Sequence, residues 1–156
     1  MKIGVVSDTH GLLRPEVVTA LAGVELILHL GDVGDAGILR ELEKIAPVTA
    51  VRGNIDRDGE CSELPETEVV EVQRNSIYLL HNIEKLDLDP SAAGFVAVLY
   101  GHSHKAEIRR QKGVLYFNPG SCGPRRFRLP VTMGFLRVGA DGEIEAEIVE
   151  LDKAGA

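Results

Sequence analysis

Four of the five histidines in this 156-residue chain fall in short polar clusters, each at the end of an apolar run. They are Asp8-Thr9-His10 after Lys2 to Val6, His81-Asn82 after Ser76 to Leu80, and Gly101-His102-Ser103-His104 after Phe95 to Tyr100. Two more clusters sit in the same kind of place, Gly31-Asp32 after Val24 to Leu30 and Gly53-Asn54-Ile55-Asp56 after Val48 to Val51. Carboxylate oxygen and imidazole nitrogen together suit first-row divalent ions: manganese, iron, cobalt, nickel or zinc. None of the clusters contains a cysteine (Cys61 lies only downstream), which argues against a thiolate zinc site. A carboxylate such as Asp32 can bridge two ions, one at each oxygen, and Gly31 ahead of it permits a tight turn. In Asp8-x-His10 and His102-x-His104, a spacing of two on extended backbone would point both side chains the same way. Each cluster alone is a weak signal; their number and shared position carry the reading. The fifth histidine, His29, lies inside an apolar run and reads as a core or supporting residue.

The elements that must position these clusters follow from periodicity and punctuation. Lys2 to Val6, Val24 to Leu30 and Val48 to Val51 read as strands. Between them, Pro15 to Ala22 reads as a helix with proline in its first turn and Gly23 beyond its end. Asp35 is placed to cap a second helix over Gly37 to Ile45, stopped by Pro47. This β-α-β-α-β order implies parallel strands with crossover helices. The remainder reads mostly as β: Glu68 to Val72 and Ser76 to Leu80 about an Arg74-Asn75 turn, then Phe95 to Tyr100. Ala106 to Arg110 pairs with Val114 to Phe117 across Lys112-Gly113, and Val131 to Val138 with Glu143 to Val149 around Asp141-Gly142. A short helical piece is expected near Pro90 to Ala93. The expectation is one domain over residues 1–156, two packed sheets with helices outside. Sites in open α/β sheets lie beyond the carboxyl ends of the strands, where the five clusters fall.

The ordered series D-x-H, GD, GN, a lone His, GHSH and Asn118-Pro119-Gly120-Ser121 resembles the calcineurin-like metallophosphoesterase superfamily, and most of all its small YfcE-type phosphodiesterases. The resemblance runs from Met1 to about Val149. It implies a four-layer α-β-β-α sandwich of two mixed sheets flanked by helices, and a pair of divalent metal ions. One ion would be held by Asp8, His10, Asp32 and His104, the other by Asp32, Asn54, His81 and His102, with Asp32 bridging. Manganese is the first expectation for both.

Two divalent ions against two carboxylates leave such a site near +2, suited to hydroxide and a phosphate ester. Ions ~3.5–4 Å apart with a bridging hydroxide nucleophile can stabilise an in-line displacement on phosphorus. Histidines bind metal only when neutral, so activity is expected to fall in acid. Asn54 can offer its carbonyl oxygen to metal and its NH₂ to substrate; aspartate there would add charge and remove the donor. The larger phosphatases of the superfamily carry a histidine directly after this Asn as general acid, and here Ile55 stands in its place. Asp56 is the nearest other acid, either supporting the ligands or facing substrate. The expected activity is therefore hydrolysis of small phosphodiesters with good leaving groups, with Asp32, Asn54 and His81 in metal-coupled roles. The alternatives are a protein-interaction scaffold like the retromer subunit of the same fold, or a phosphomonoesterase. Asn82 replaces the glycine common after the lone His, and Arg52, Arg125, Arg126 and Arg128 form either a positive rim or a solvated surface.

Composition sets the outer bounds. Seventeen basic against twenty-four acidic residues give −7, and aromatics are only 4%. Such a chain does not attract extended nucleic acid. Two bound divalent ions would bring the balance to −7 + 4 = −3, concentrating positive charge at one spot. Two cysteines form no disulfide framework and suit a reducing, cytoplasmic compartment. No run approaches membrane-spanning length. A homo-oligomer is expected only by resemblance.

Overall fold

Strand after strand in this chain is apolar on both faces, so each sheet must be covered on both sides. The computed structural model describes residues 1–151, and residues 152–156 of the expected domain lie outside the described residues. The first third folds as β1 (Lys2–Val6), α1 (Pro15–Ala20), β2 (Leu26–His29), α2 (Ala36–Glu43) and β3 (Val48–Ala50). All three strands are parallel. Then follow β4 (Thr67–Val72), β5 (Asn75–Leu80), β6 (Phe95–Leu99), β7 (Glu107–Gln111), β8 (Val114–Asn118), β9 (Thr132–Val138) and β10 (Ile144–Glu150). They form two five-stranded sheets, β10-β9-β1-β2-β3 and β4-β5-β6-β8-β7. Both are mixed, because β9 joins β1 antiparallel while β5, β6 and β8 run parallel.

Alternation divides the core into layers. Ile3 and Val5 of β1 meet Ile77 and Leu79 of β5, Leu99 of β6 and Phe117 of β8 between the sheets. Ile27, Met133 and Phe135 point to the other face, where Val17 of α1, Leu21 at its C-terminal cap, and Ile38 and Leu42 of α2 cover them. Tyr78, Leu80, Val98, Tyr100 and Tyr116 face outward from the second sheet and are packed by Ile83, Leu86 and Leu88. That fourth layer is thinner than the expected sandwich: a 3₁₀ turn (Ile83–Lys85) and loop, in place of an α-helix. Residues 90–94 form turns, so the expected helix near Pro90 to Ala93 is not formed. The four residues from Pro90 to Ala93, closed by Gly94 with a φ of +85°, are too few to repay helix nucleation. The β4–β5 turn falls at Gln73-Arg74, one residue earlier than expected.

Candidate metal centre

The polar clusters do converge at the strand ends, in a backbone conformation that alternation did not predict. Asp8, His10, Asp32, His102 and His104 all have positive φ, between +45° and +72°. The side chains of D-x-H and H-x-H are thus aimed by left-handed turns, and the expectation of extended backbone is corrected. Non-glycine residues in this region are strained, and such strain persists where surrounding structure over-determines it. Here the constraint comes from loop hydrogen bonds that prolong the β1–β2 pairing: Asp8 N–H to Gly31 O (3.0 Å), His10 N–H to Asp32 O (2.9 Å) and Gly11 N–H to Val33 O (2.9 Å). Gly53 and Gly101 are required by close approach. A Cβ at Gly53 would collide with the Asp32 backbone and carboxylate, and one at Gly101 with Ser7 and Asp8.

Each buried carboxylate is held by one oxygen and offers the other. Asp8 Oδ2 accepts from the Ser7 hydroxyl (2.6 Å) and the His102 N–H (3.2 Å). Its Oδ1 faces Nε2 of His104 (3.4 Å), His10 (3.7 Å) and His81 (3.8 Å). Asp32 Oδ1 accepts from Ile55 N–H (3.0 Å), while Oδ2 lies 3.3 Å from His81 Nε2 and 3.4 Å from His10 Nε2. His81 Nδ1 donates to the Leu30 carbonyl at 2.7 Å, which turns the Nε2 lone pair toward the carboxylates. At the rim, His102 stacks edge-on against His81 at 5.2 Å and its Nδ1 meets Asn54 Oδ1 at 3.1 Å. Both rim residues are exposed, and His102 lies outside the two groups of ligand atoms, Asp8-His10-His104 and Asp8-Asp32-His81. Asp8 is common to both groups, and Asp32 also faces His10 and His81.

The residues fit divalent cations. Asp8 Oδ1, His10 Nε2, His81 Nε2 and His104 Nδ1 are buried with no hydrogen-bond partner. Unsatisfied buried polar atoms are costly, and a cation satisfies carboxylate oxygen and imidazole nitrogen together. Electrostatics agree. Burial opposes the Asp8 charge, but the neighbouring imidazoles of His10, His104 and His81, with the Ser7 hydroxyl bond, outweigh it and hold the carboxyl well below the usual range. Burial likewise opposes the Asp32 charge, and His81 with the Ile55 amide overcomes it. Burial would lower His81, yet Asp32 and Asp8 raise it. The pocket thus already favours positive charge between two anionic carboxylates.

Neighbouring residues have different tasks from those expected of some of them. Asp56 does not face substrate: it is buried, and its carboxylate accepts from the N–H groups of Gly53 (2.9 Å), Gly34 (3.1 Å) and Val33 (3.2 Å). It braces the turns that carry Asp32 and Asn54. His29 accepts from Gly31 N–H at Nδ1 (3.1 Å) and meets Thr9 Oγ1 at Nε2 (3.0 Å), with burial pushing it down to about 4. Since the Thr9 hydroxyl donates to Val33 O, Nε2 carries the proton and His29 is neutral. Asn118 Nδ2 donates to Gly101 O (3.0 Å), and Ser121 Oγ to Asp8 O (3.0 Å), so the Asn-Pro-Gly-Ser turn shapes the loops beneath the cluster. Ser7 and Thr9 were not singled out in the sequence, although they flank Asp8. Cys61 is buried, and the Cys122 thiol is pushed up to about 12 by burial. A cleft of about 310 Å³ opens beside Asn54, His81 and His102. Asn82 lines it while its Oδ1 caps the Glu84 N–H (3.0 Å), and Arg52 on the same wall is paired with Glu66 at 2.7 Å.

Comparison with known proteins places this geometry in context. Residues 1–141 match the family model described as the calcineurin-like phosphoesterase superfamily domain. A probable metallophosphoesterase of Methanothermobacter thermautotrophicus is 38% identical over 162 residues, covering 96% of this chain and 92% of the relative. Phosphodiesterase YfcE of Escherichia coli K12 is 27% identical over 160 residues, with 87% of each chain covered. Among solved structures, vacuolar protein sorting 29 of Cryptosporidium parvum superposes with a TM-score of 0.76 at 19% identity, covering 96% of both chains. That last likeness bears on the fold alone.

Proposed function

The chain belongs to the calcineurin-like phosphoesterase superfamily, and from that premise we propose that it is a dinuclear metal-dependent phosphodiesterase acting on small phosphodiesters. The observation that carries this reading is the convergence of Asp8, His10, Asp32, His81 and His104 around the buried, unpartnered atoms Asp8 Oδ1, His10 Nε2 and His81 Nε2. Asp8, His10, Asp32 and His104 would hold one cation, and Asp32, Asn54, His81 and His102 the other, manganese being the first choice. When bound, such ions supply Lewis-acid charge and an activated water. The chain's own residues do the rest. Asp8 and Asp32 are anchored through one oxygen each, so the ligand-facing oxygens need no reorganisation. Asn54 presents its amide at the mouth of the cleft, where its NH₂ can donate to a phosphate oxygen. Asn82, Arg52, Tyr78 and Leu80 give the cleft polar and apolar walls that suit a second ester substituent.

Neither position that the sequence offered for a general acid supplies one. Ile55 is 42% exposed where a general acid would be needed, and Asp56 is committed to three amides. Leaving groups of low basicity are therefore favoured. Two buried, unpaired cysteines suit a reducing compartment such as the cytoplasm. The test is a rate panel on manganese-reconstituted protein: bis(4-nitrophenyl) phosphate, methyl 4-nitrophenyl phosphate, dimethyl phosphate and 4-nitrophenyl phosphate. The nitrophenyl diesters should turn over fastest, with dimethyl phosphate inert and the monoester slow. Equal rates on alkyl and nitrophenyl diesters would remove the leaving-group argument, and no turnover of any ester would favour a scaffold.

A further inference from the structure

The segment from Pro124 to Pro130 is not used to build the cation cluster, yet it concentrates Arg125, Arg126 and Arg128 in a chain of charge −7. At its tip Phe127 is 89% exposed, the most exposed of the large hydrophobic side chains among the described residues. Its φ is +55°, a left-handed conformation unfavourable for any residue with a Cβ. Neither feature serves the fold: the ring contributes little burial and the backbone would be better served by glycine. Such combinations gather at ligand clamps. Phe127 borders an open surface depression with Ser103, Lys105, Arg126, Arg128 and Leu129. Ser103 stands between His102 and His104, and its hydroxyl is fixed by Asn118 Nδ2 at 3.1 Å, so the depression adjoins the cation cluster.

An exposed ring bordered by three cations has a definite chemical complement. Aromatic side chains stack on nucleobases with little sequence preference. Guanidinium forks take phosphate oxygens in pairs. We propose that the Phe127 loop is the subsite for a nucleotide arm bearing a phosphate beyond the scissile ester. The base stacks on Phe127, and the additional phosphate lies among Lys105, Arg126 and Arg128. The idea rests on the phosphodiesterase reading and narrows it to short 5′-phosphorylated nucleotides. A single ring and a small basic patch serve one such arm, whereas the acidic remainder of the chain repels a longer strand.

Calorimetric titration of the manganese-loaded protein tests this without turnover. The probes are a phosphorothioate-linked thymidine dinucleotide with and without a 5′-phosphate. The 5′-phosphorylated probe should bind at least tenfold more tightly. Phe127→Ala should weaken both probes about tenfold, and the double variant R126A/R128A should erase the advantage of the 5′-phosphate. Phe127→Gly should lose the same affinity while melting higher, since glycine adopts the left-handed turn without strain; a merely structural ring would not give that opposition. Binding by either alanine variant within twofold of wild type overturns the subsite. So does failure of the wild type to bind the dinucleotides, and co-sedimentation with phosphatidylserine vesicles in that case would assign the patch to a membrane surface. If the binding pattern holds but no diester is hydrolysed, the subsite stands and the phosphodiesterase reading falls.

Discussion

At the scale of single residues, two carboxylates and three imidazoles converge within about one side chain's reach, and three of the five are aimed by a hydrogen bond from behind. Asp8 leans on Ser7, Asp32 on the Ile55 amide and His81 on the Leu30 carbonyl. Removal of a ligand should therefore cost both the cation and the rate. Asp32→Ala or His104→Ala should lower activity on bis(4-nitrophenyl) phosphate by at least about a hundredfold, beyond the 10–100-fold typical of outer-shell changes. Metal content measured on the same preparation should fall in parallel, and retained activity would refute the ligand assignment. The ligand types were legible in the sequence because they recur after apolar runs. Their aim was not, because the modest tolerance of Asp and His for left-handed backbone does not say which of them adopt it at Asp8, His10, Asp32, His102 and His104.

At the scale of elements, the β-α-β-α-β third was readable because proline, the Asp35 cap and alternating apolar residues all agree. Asp35 Oδ1 does accept from Gly37 N–H at 2.9 Å. The β4–β5 hairpin was misplaced by one residue because Asn75 carries the local turn signal, while Gln73 and Arg74 take φ of +48° and +70°. Asp56 was left between two roles by the sequence, and its hydrogen bonds suit the supporting one. It ties the β2 and β3 exits together through three backbone amides, so Asp56→Ala should destabilise the protein by about 3 kcal/mol, read from denaturant midpoints. Asp56→Asn should slow methyl 4-nitrophenyl phosphate and methyl phenyl phosphate, which expel nitrophenolate and the more basic phenolate, by the same factor. A selective loss on the poorer leaving group would instead restore Asp56 as a proton donor.

At the scale of the molecule, two sheets share one apolar layer, and the polar exits of β1, β2, β3, β5 and β6 meet at one end. Buried neutral His29 sits under that end. Its pKa is about 4 in the fold against 6.5 when unfolded, so the unfolded chain binds more protons between those values. The stability it permits is fully present above pH 6.5 and is lost as pH falls toward 4. His29→Gln should flatten the acid side of the stability profile of the metal-free protein, measured by urea unfolding between pH 4 and 7, and an unchanged slope would contradict a buried neutral imidazole. No helix among the described residues is long and apolar enough to cross a membrane. The central claim, a phosphodiesterase with two cations held by these loops, is tested most directly by titrating metal-stripped protein with Mn²⁺ while following bis(4-nitrophenyl) phosphate hydrolysis. The rate should start at background and reach its plateau at two equivalents per chain; a plateau at one equivalent, or saturation with metal and no hydrolysis, would contradict it.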